Sequence, residues 1–183
     1  YLVARFNGST DQTVAVYYQP PGCLRVLDGE VEANNLFVPA QIREAATDLG
    51  STEWIEANPD NPAVPPAQYY GSEPAHGWCY YYEKADLARQ QQDWDAVAQL
   101  ADQAFALGDY PNDPAERLPF IEGYAHAGRW DEALAQSRQA AQISLAMQPV
   151  LCKLWQRIAA NTTAGIDQQT TLNTAYSELG CTP

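Results

Sequence analysis

Two short stretches decide how this chain is read: Gln92-Asp93-Trp94-Asp95-Ala96-Val97-Ala98 and Gly128-Arg129-Trp130-Asp131-Glu132-Ala133-Leu134. They lie 36 residues apart, and each is flanked on both sides by apolar residues at helical spacing. Self-similarity at a fixed period of roughly 20 to 50 residues marks a stacked array, in which each unit buries its apolar face against the next. An apolar stripe alone would fit any helical bundle. The recurrence of one turn at a fixed offset is what points to repeats.

The second stretch resembles the turn of a tetratricopeptide repeat, in which two antiparallel helices per unit meet through small residues. Tyr124 stands four residues before Gly128, and Ala140 seven after Ala133, as in that family. The first copy departs from the pattern, with Gln92 in place of the turn glycine, Ala88 in place of the tyrosine and Val97 in place of the alanine. Gly108-Asp109-Tyr110-Pro111-Asn112-Asp113-Pro114 between the copies ends one helix and caps the next. A third unit places Leu151, Leu154, Trp155 and Ile158 on the apolar face of its first helix. Its second helix, residues 166–179, is rich in Thr and Gln and suits a terminal cap. The resemblance implies a mainly α fold: a short right-handed superhelix of about three helical hairpins over residues 78–183.

Upstream of the repeats the composition changes. Residues 58–77 carry five prolines and read as an extended connector, expected to pack on a neighbouring surface at Tyr69 and Tyr70. Residues 1–57 read as a β-hairpin plus a short helix. The runs 1–6 and 13–18 flank Asn7-Gly8-Ser9-Thr10-Asp11, which is turn chemistry, and 23–27 is a third short strand candidate. Residues 39–49 have Pro at a helix start and Ile42, Ala45, Ala46 and Leu49 at spacings of three and four. The run QPPGCLRVLD at 19–28, followed by helical repeats, also resembles the soluble C-terminal tails of some multi-spanning bacterial envelope proteins, glycosyltransferase-like ones among them.

Cys23, Cys79, Cys152 and Cys181 are widely spaced, and none forms a CxxC pair. They read either as reduced buried thiols or as two disulfides in an oxidising compartment. Four cysteines allow three pairings. In the hairpin register Cys152 opens a first helix and Cys181 follows its partner, which brings them together and leaves Cys23 for Cys79. That pairing implies an extracytoplasmic setting, in the envelope or secreted, with any membrane anchor outside these residues.

The 23 acidic and 10 basic side chains give a formal charge of -13. That balance argues against nucleic acid or an anionic membrane surface as partner, since both need clustered Lys and Arg. No run of eighteen apolar residues offers a membrane span. Phosphate-loop, HExxH, GxSxG and GxGxxG motifs are missing, and with only His76 and His126 the sequence names no catalytic residue, metal or cofactor. Glu30, Glu32, Asp48, Glu53 and Glu56 read as a solvated acidic face.

Stacked hairpins create a concave face lined by first helices. The register places Tyr82, Asp86, Arg89, Leu118, Glu122, His126 and Gln156 there. Trp78, Tyr81, Ala85 and Ala88 are expected in the core, with Tyr82 the exposed member of the tyrosine run and Tyr80 against the connector. Such a groove suits a protein or peptide. The expected function is therefore a non-enzymatic interaction or scaffolding module, the extracytoplasmic soluble part of a larger bacterial membrane protein, with one alternative: a sugar- or lipid-intermediate-binding accessory domain of an envelope glycosyltransferase.

Overall fold

A computed structural model describes residues 7, 13–33, 35–49, 52, 55, 64–111 and 113–182. Described residues are mainly helical, with two short strands. The run 1–6, expected as the first strand of a hairpin, lies outside them. The second and third runs pair with each other: β1 (Val16–Tyr17) lies antiparallel to β2 (Arg25–Val26), with Val16 opposite Val26 and Tyr17 opposite Arg25. Gly22 N donating to Gln19 O at 2.9 Å closes the turn between them.

Helices α1 (Gly29–Glu32) and α2 (Ala40–Leu49) follow and pack on each other. A Cβ at Gly29 would stand 2.6 Å from the Thr47 Cα, so only glycine permits this approach. Leu27, Val38 and Ala46 form a small buried cluster with Ala15 and Tyr17 against it. Helix α2 matches its expected span, although Ile42 and Ala45 face outward and Ala46 alone of its alanines is fully buried.

The connector differs from expectation. Its described part, residues 64–77, has one helical turn, α3 (Ala67–Tyr70), that buries none of its residues, and Tyr69 and Tyr70 are both about three-quarters exposed. A four-residue helix has too little surface to dock two aromatic rings. The connector touches the helices at His76 instead, whose ring stacks on Tyr80 with centroids 3.5 Å apart.

From Trp78 onward come α4 (Trp78–Gln90), α5 (Trp94–Ala106), a 3-10 turn (Pro114–Arg117), α6 (Leu118–His126), α7 (Trp130–Ile143), α8 (Met147–Asn161) and α9 (Ile166–Leu179). Helices pack in successive pairs, α4 on α5, α6 on α7 and α8 on α9, while α4 also meets α6 and α6 meets α8. The two stretches quoted above fold alike. In the first, Gln92 has φ 60° and Asp93 N donates to Ala88 O at 2.9 Å; in the second, Gly128 has φ 74° and Arg129 N donates to Tyr124 O at 2.8 Å. Both are left-handed C-caps of one design, and in the first a non-glycine residue holds the conformation.

Where α5 meets α6, the missing small residue is compensated from the other side. Val97 is fully buried, and a Cβ at Gly123 would fall 2.2 Å from its Cγ1. The larger valine on α5 fits because α6 offers glycine.

One apolar core runs from Trp78 to Leu179, with Trp155 its largest fully buried side chain. Trp155 Nε1 donates to Ser137 Oγ at 3.1 Å, and Ser137 Oγ donates to Ala133 O at 2.9 Å, so the indole's polar atom is satisfied inside the core. Trp78 and Ala85 are buried as expected, with Tyr81 and Ala88 packed on the core edge. Cys23 bonds Cys79 and Cys152 bonds Cys181, with Cα atoms 5.2 and 5.5 Å apart. No helix of the described residues is long and apolar enough to cross a membrane.

Candidate functional site

The N-terminal segment lies across the start of the helical stack, which changes what the first helices expose. Cys23 N donates to Glu116 Oε1 at 2.8 Å, Trp78 Nε1 donates to Glu116 Oε2 at 2.8 Å, Arg25 pairs with Asp113, and Gln90 Nε2 donates to Val26 O at 3.1 Å. Glu116 is fully buried and so bonds both regions at once. Tyr82, expected in an open groove, is only 2% exposed because Arg25 and Glu32 are buried with it under this cover. Burial, and then the neighbouring Asp86 carboxylate, push its hydroxyl well above the usual tyrosine range.

Glu32 departs from the solvated acidic face expected of it. It is buried, and its Oε2 accepts from Asn35 Nδ2 at 2.7 Å. Burial, then Asp86, raise its carboxyl above the ordinary value. Asp48 is exposed as expected.

Beyond this cover a cleft of about 320 Å³ remains open between α4, α6 and α8. Arg89, Gln90 and Gln92 line it from the end of α4, Trp94 from the start of α5, Glu122 and His126 from α6, Arg157 and Asn161 from α8, and Asp28 from the N-terminal segment. Three of the expected groove residues, Arg89, Glu122 and His126, therefore come together. Asp86 stands behind Arg89, its Oδ1 accepting from Arg89 Nε at 2.9 Å. Leu118 and Tyr82 belong to the core, and Gln156 is half-buried away from the cleft.

Position explains these contacts. Asp86 and Glu122 are 36 residues apart, as are Gln90 and His126, so each pair occupies the same place on successive first helices. Both acids are buried and each meets a guanidinium: Asp86 that of Arg89, and Glu122 that of Arg157, whose Nε and Nη2 donate to its two oxygens at 2.7 and 2.8 Å. A two-bond geometry of this kind fixes both side chains. On α8 the equivalent places fall at Arg157 and Asn161, one residue beyond the register that named Gln156.

Three residues of this lining each carry a buried polar atom with no hydrogen-bond partner among the described residues: Arg89 Nη2, Gln90 Oε1 and His126 Nε2. Each such atom costs a fold about 1–3 kcal/mol when left unsatisfied. Burial works against the Arg89 charge, but the carboxylates of Asp86, Glu122 and Asp28 hold the guanidinium protonated above its ordinary range. Asp28 Oδ2 stands 3.9 Å from Arg89 Nη1. Burial lowers the His126 pKa, opposed by Glu122 and assisted by Arg157, which favours the neutral imidazole. Its ring stacks on Trp94 with centroids 3.8 Å apart.

A larger cavity of about 580 Å³ opens between α7, the start of α8 and the end of α9, with Leu134, Leu145 and Leu179 in its wall. None of the unpartnered buried atoms lies on that lining. Among the described residues no group of His, Cys, Asp or Glu is arranged to hold a metal ion.

Comparison with family models, with curated proteins and with solved structures finds no match to this chain. The site must be read from its own chemistry. Arg157, Asn161, Trp94, Gln90, Gln92 and Asp28 were missed in the sequence. The 36-residue offset from Gln90 to His126 was the available signal for one of them, while nothing local ties Asp28 to a helix more than fifty residues away.

Proposed function

We propose that this chain is a non-enzymatic module of helical repeats, similar to the tetratricopeptide kind, that engages a protein or peptide in the cleft between α4, α6 and α8. Its setting in this reading is an oxidising, extracytoplasmic compartment, as a soluble part of a larger bacterial membrane protein. The observation that supports the binding role is that three residues of one lining carry unpartnered buried polar atoms, two of them, Gln90 and His126, 36 residues apart. Polar atoms of this kind are costly unless a ligand or a water completes them. The two like-built turns support the repeat assignment, and the two disulfides support the compartment.

An unbiased peptide array probed with the wild-type protein and with a His126→Ala variant tests the role. Peptides that bind the first and not the second are expected. Array binding that is the same for both proteins, or no binding at all, would remove the cleft from consideration. Arg89→Ala is the poorer probe, because it would strand the buried Asp86 carboxylate and disturb the fold.

One feature favours the sugar-binding alternative: the Trp94 ring is held flat against His126 at the cleft edge, and aromatic faces pack on sugar rings.

A further inference from the structure

We infer that the cleft takes a neutral amide group, the main chain of an extended peptide segment, and is not a receptor for a carboxylate. The inference rests on the peptide-binding reading above and names the chemistry that the site recognises. Its first support is charge. Each guanidinium in the cleft already faces carboxylates: Arg157 is bonded twice to Glu122, and Arg89 is bonded to Asp86 with Asp28 nearby. No spare positive charge is left to attract an anion, and the chain's net charge of -13 adds repulsion.

What remains unused is hydrogen-bonding capacity of both kinds. Arg89 Nη2 can only donate, Gln90 Oε1 can only accept, and a neutral imidazole nitrogen does one or the other according to tautomer. An amide supplies the complement, a C=O for the donor and an N–H for the acceptor. A carboxylate would satisfy Arg89 and leave Gln90 Oε1 facing a second acceptor.

The second support is spacing. The unpartnered atoms come from α4 and α6, and α8 closes the far side with Arg157 and Asn161. Packed helices lie roughly 8–10 Å apart. Two such steps match about five or six residues of extended chain at roughly 3.3 Å each. A single N-acetylated sugar offers the same amide but spans only one step.

The test is a titration of the ¹⁵N-labelled protein, following the Trp94 indole N–H and the Gln90 side-chain amide. The probes are an acetyl- and amide-capped pentapeptide of small neutral residues, the same peptide with a free carboxylate, and an N-acetylglucosamine oligosaccharide. The capped peptide is expected to shift both signals with an affinity insensitive to added salt, and His126→Ala is expected to weaken it about three- to tenfold, the worth of one hydrogen bond. Binding that requires the free carboxylate and fades with salt overturns the inference and leaves the peptide-binding reading standing. Shifts from the oligosaccharide alone, or from none of the probes, overturn both.

Discussion

The N-terminal segment and the helical stack are held by different means. In the stack a continuous apolar core from Trp78 to Leu179 supplies the cohesion, and polar groups such as Ser137 only satisfy what the core buries. The segment at 13–49 has a buried cluster of three residues, Leu27, Val38 and Ala46, which is too little to order its chain alone. It is fastened from outside, by Cys23–Cys79, by Glu116 bonding Cys23 N, by the Arg25–Asp113 pair and by Gln90 on Val26 O. A helical array can thus carry an irregular segment as cover when a few specific links replace a core.

The sharpest way to break this contrast is to remove apolar volume from each region. Trp155→Ala is expected to cost about 3–5 kcal/mol and to lower the melting of the whole helical signal. Leu27→Ala is expected to leave that melting nearly in place while proteolysis within 13–49 speeds up. Equal, cooperative shifts for the two variants would mean that both regions form one unit, against the contrast drawn here.

Next come the links. The loops closed by Cys23–Cys79 and Cys152–Cys181 span 56 and 29 residues. Unfolded-state entropy assigns them about 4.2 and 3.6 kcal/mol. Double alanine replacement of the first pair is expected to release the N-terminal cover and raise hydrogen exchange at Val26 and Leu27. Replacement of the second is expected to fray α9 and leave Val26 protected. A first-pair variant with Val26 exchange unchanged would show that the disulfide is dispensable to the docking. A smaller effect is expected from Glu116→Gln. Both Glu116 oxygens accept, and an amide would turn an N–H toward either Cys23 N or Trp78 Nε1, at about 1–3 kcal/mol. Calorimetry reads this as a lower melting temperature, with no change expected if the pair of bonds is incidental.

The helical stack was legible because its signals are local. Residues 166–179 were bounded by period and caps, as was the helix at 39–49 in the N-terminal segment, and the turn at Gly128 announced its own geometry. Gln92 shows the limit: its left-handed backbone is visible only by analogy with the copy 36 residues on. The groove positions were legible in part, since angle around a helix tells which residues share a face but not what covers that face. Tyr82, expected on the open side by angle, is instead buried beneath a segment whose docking depends on a disulfide and on Glu116, contacts that span 56 and 93 residues of chain. Gln156 was named from a 34-residue offset, whereas the cleft residues of α8, Arg157 and Asn161, stand 35 residues after Glu122 and His126.

Acidity separates the two regions by sign. In the stack, Asp102 is held below the ordinary carboxylate range, first by the hydrogen bond from Arg129 and then by that from Tyr124, and Glu178 by the bond from Arg138. Groups with lowered values stabilise the fold above their unfolded pKa, and that contribution disappears as pH falls through the folded one. At the docking surface the direction is reversed. Burial, then Asp86, raise Glu32, and burial raises Glu116. The folded form holds these protons more tightly than the unfolded chain, so stability is lost as pH climbs upward from the ordinary glutamate value of about 4.3. Arg25 and Arg89 soften the effect on Glu32 without cancelling it. Between about pH 4 and pH 7 the amides of Val26 and Leu27 are therefore expected to lose protection, after correction for intrinsic exchange, while those of α7 and α9 keep or gain it. Glu32→Gln, which retains the contact with Asn35 and removes the titration, is expected to flatten the first trend alone. Protection at Val26 that rises with pH, or an unchanged trend in that variant, would show that charge at Glu32 does not control how the N-terminal segment sits on the helices.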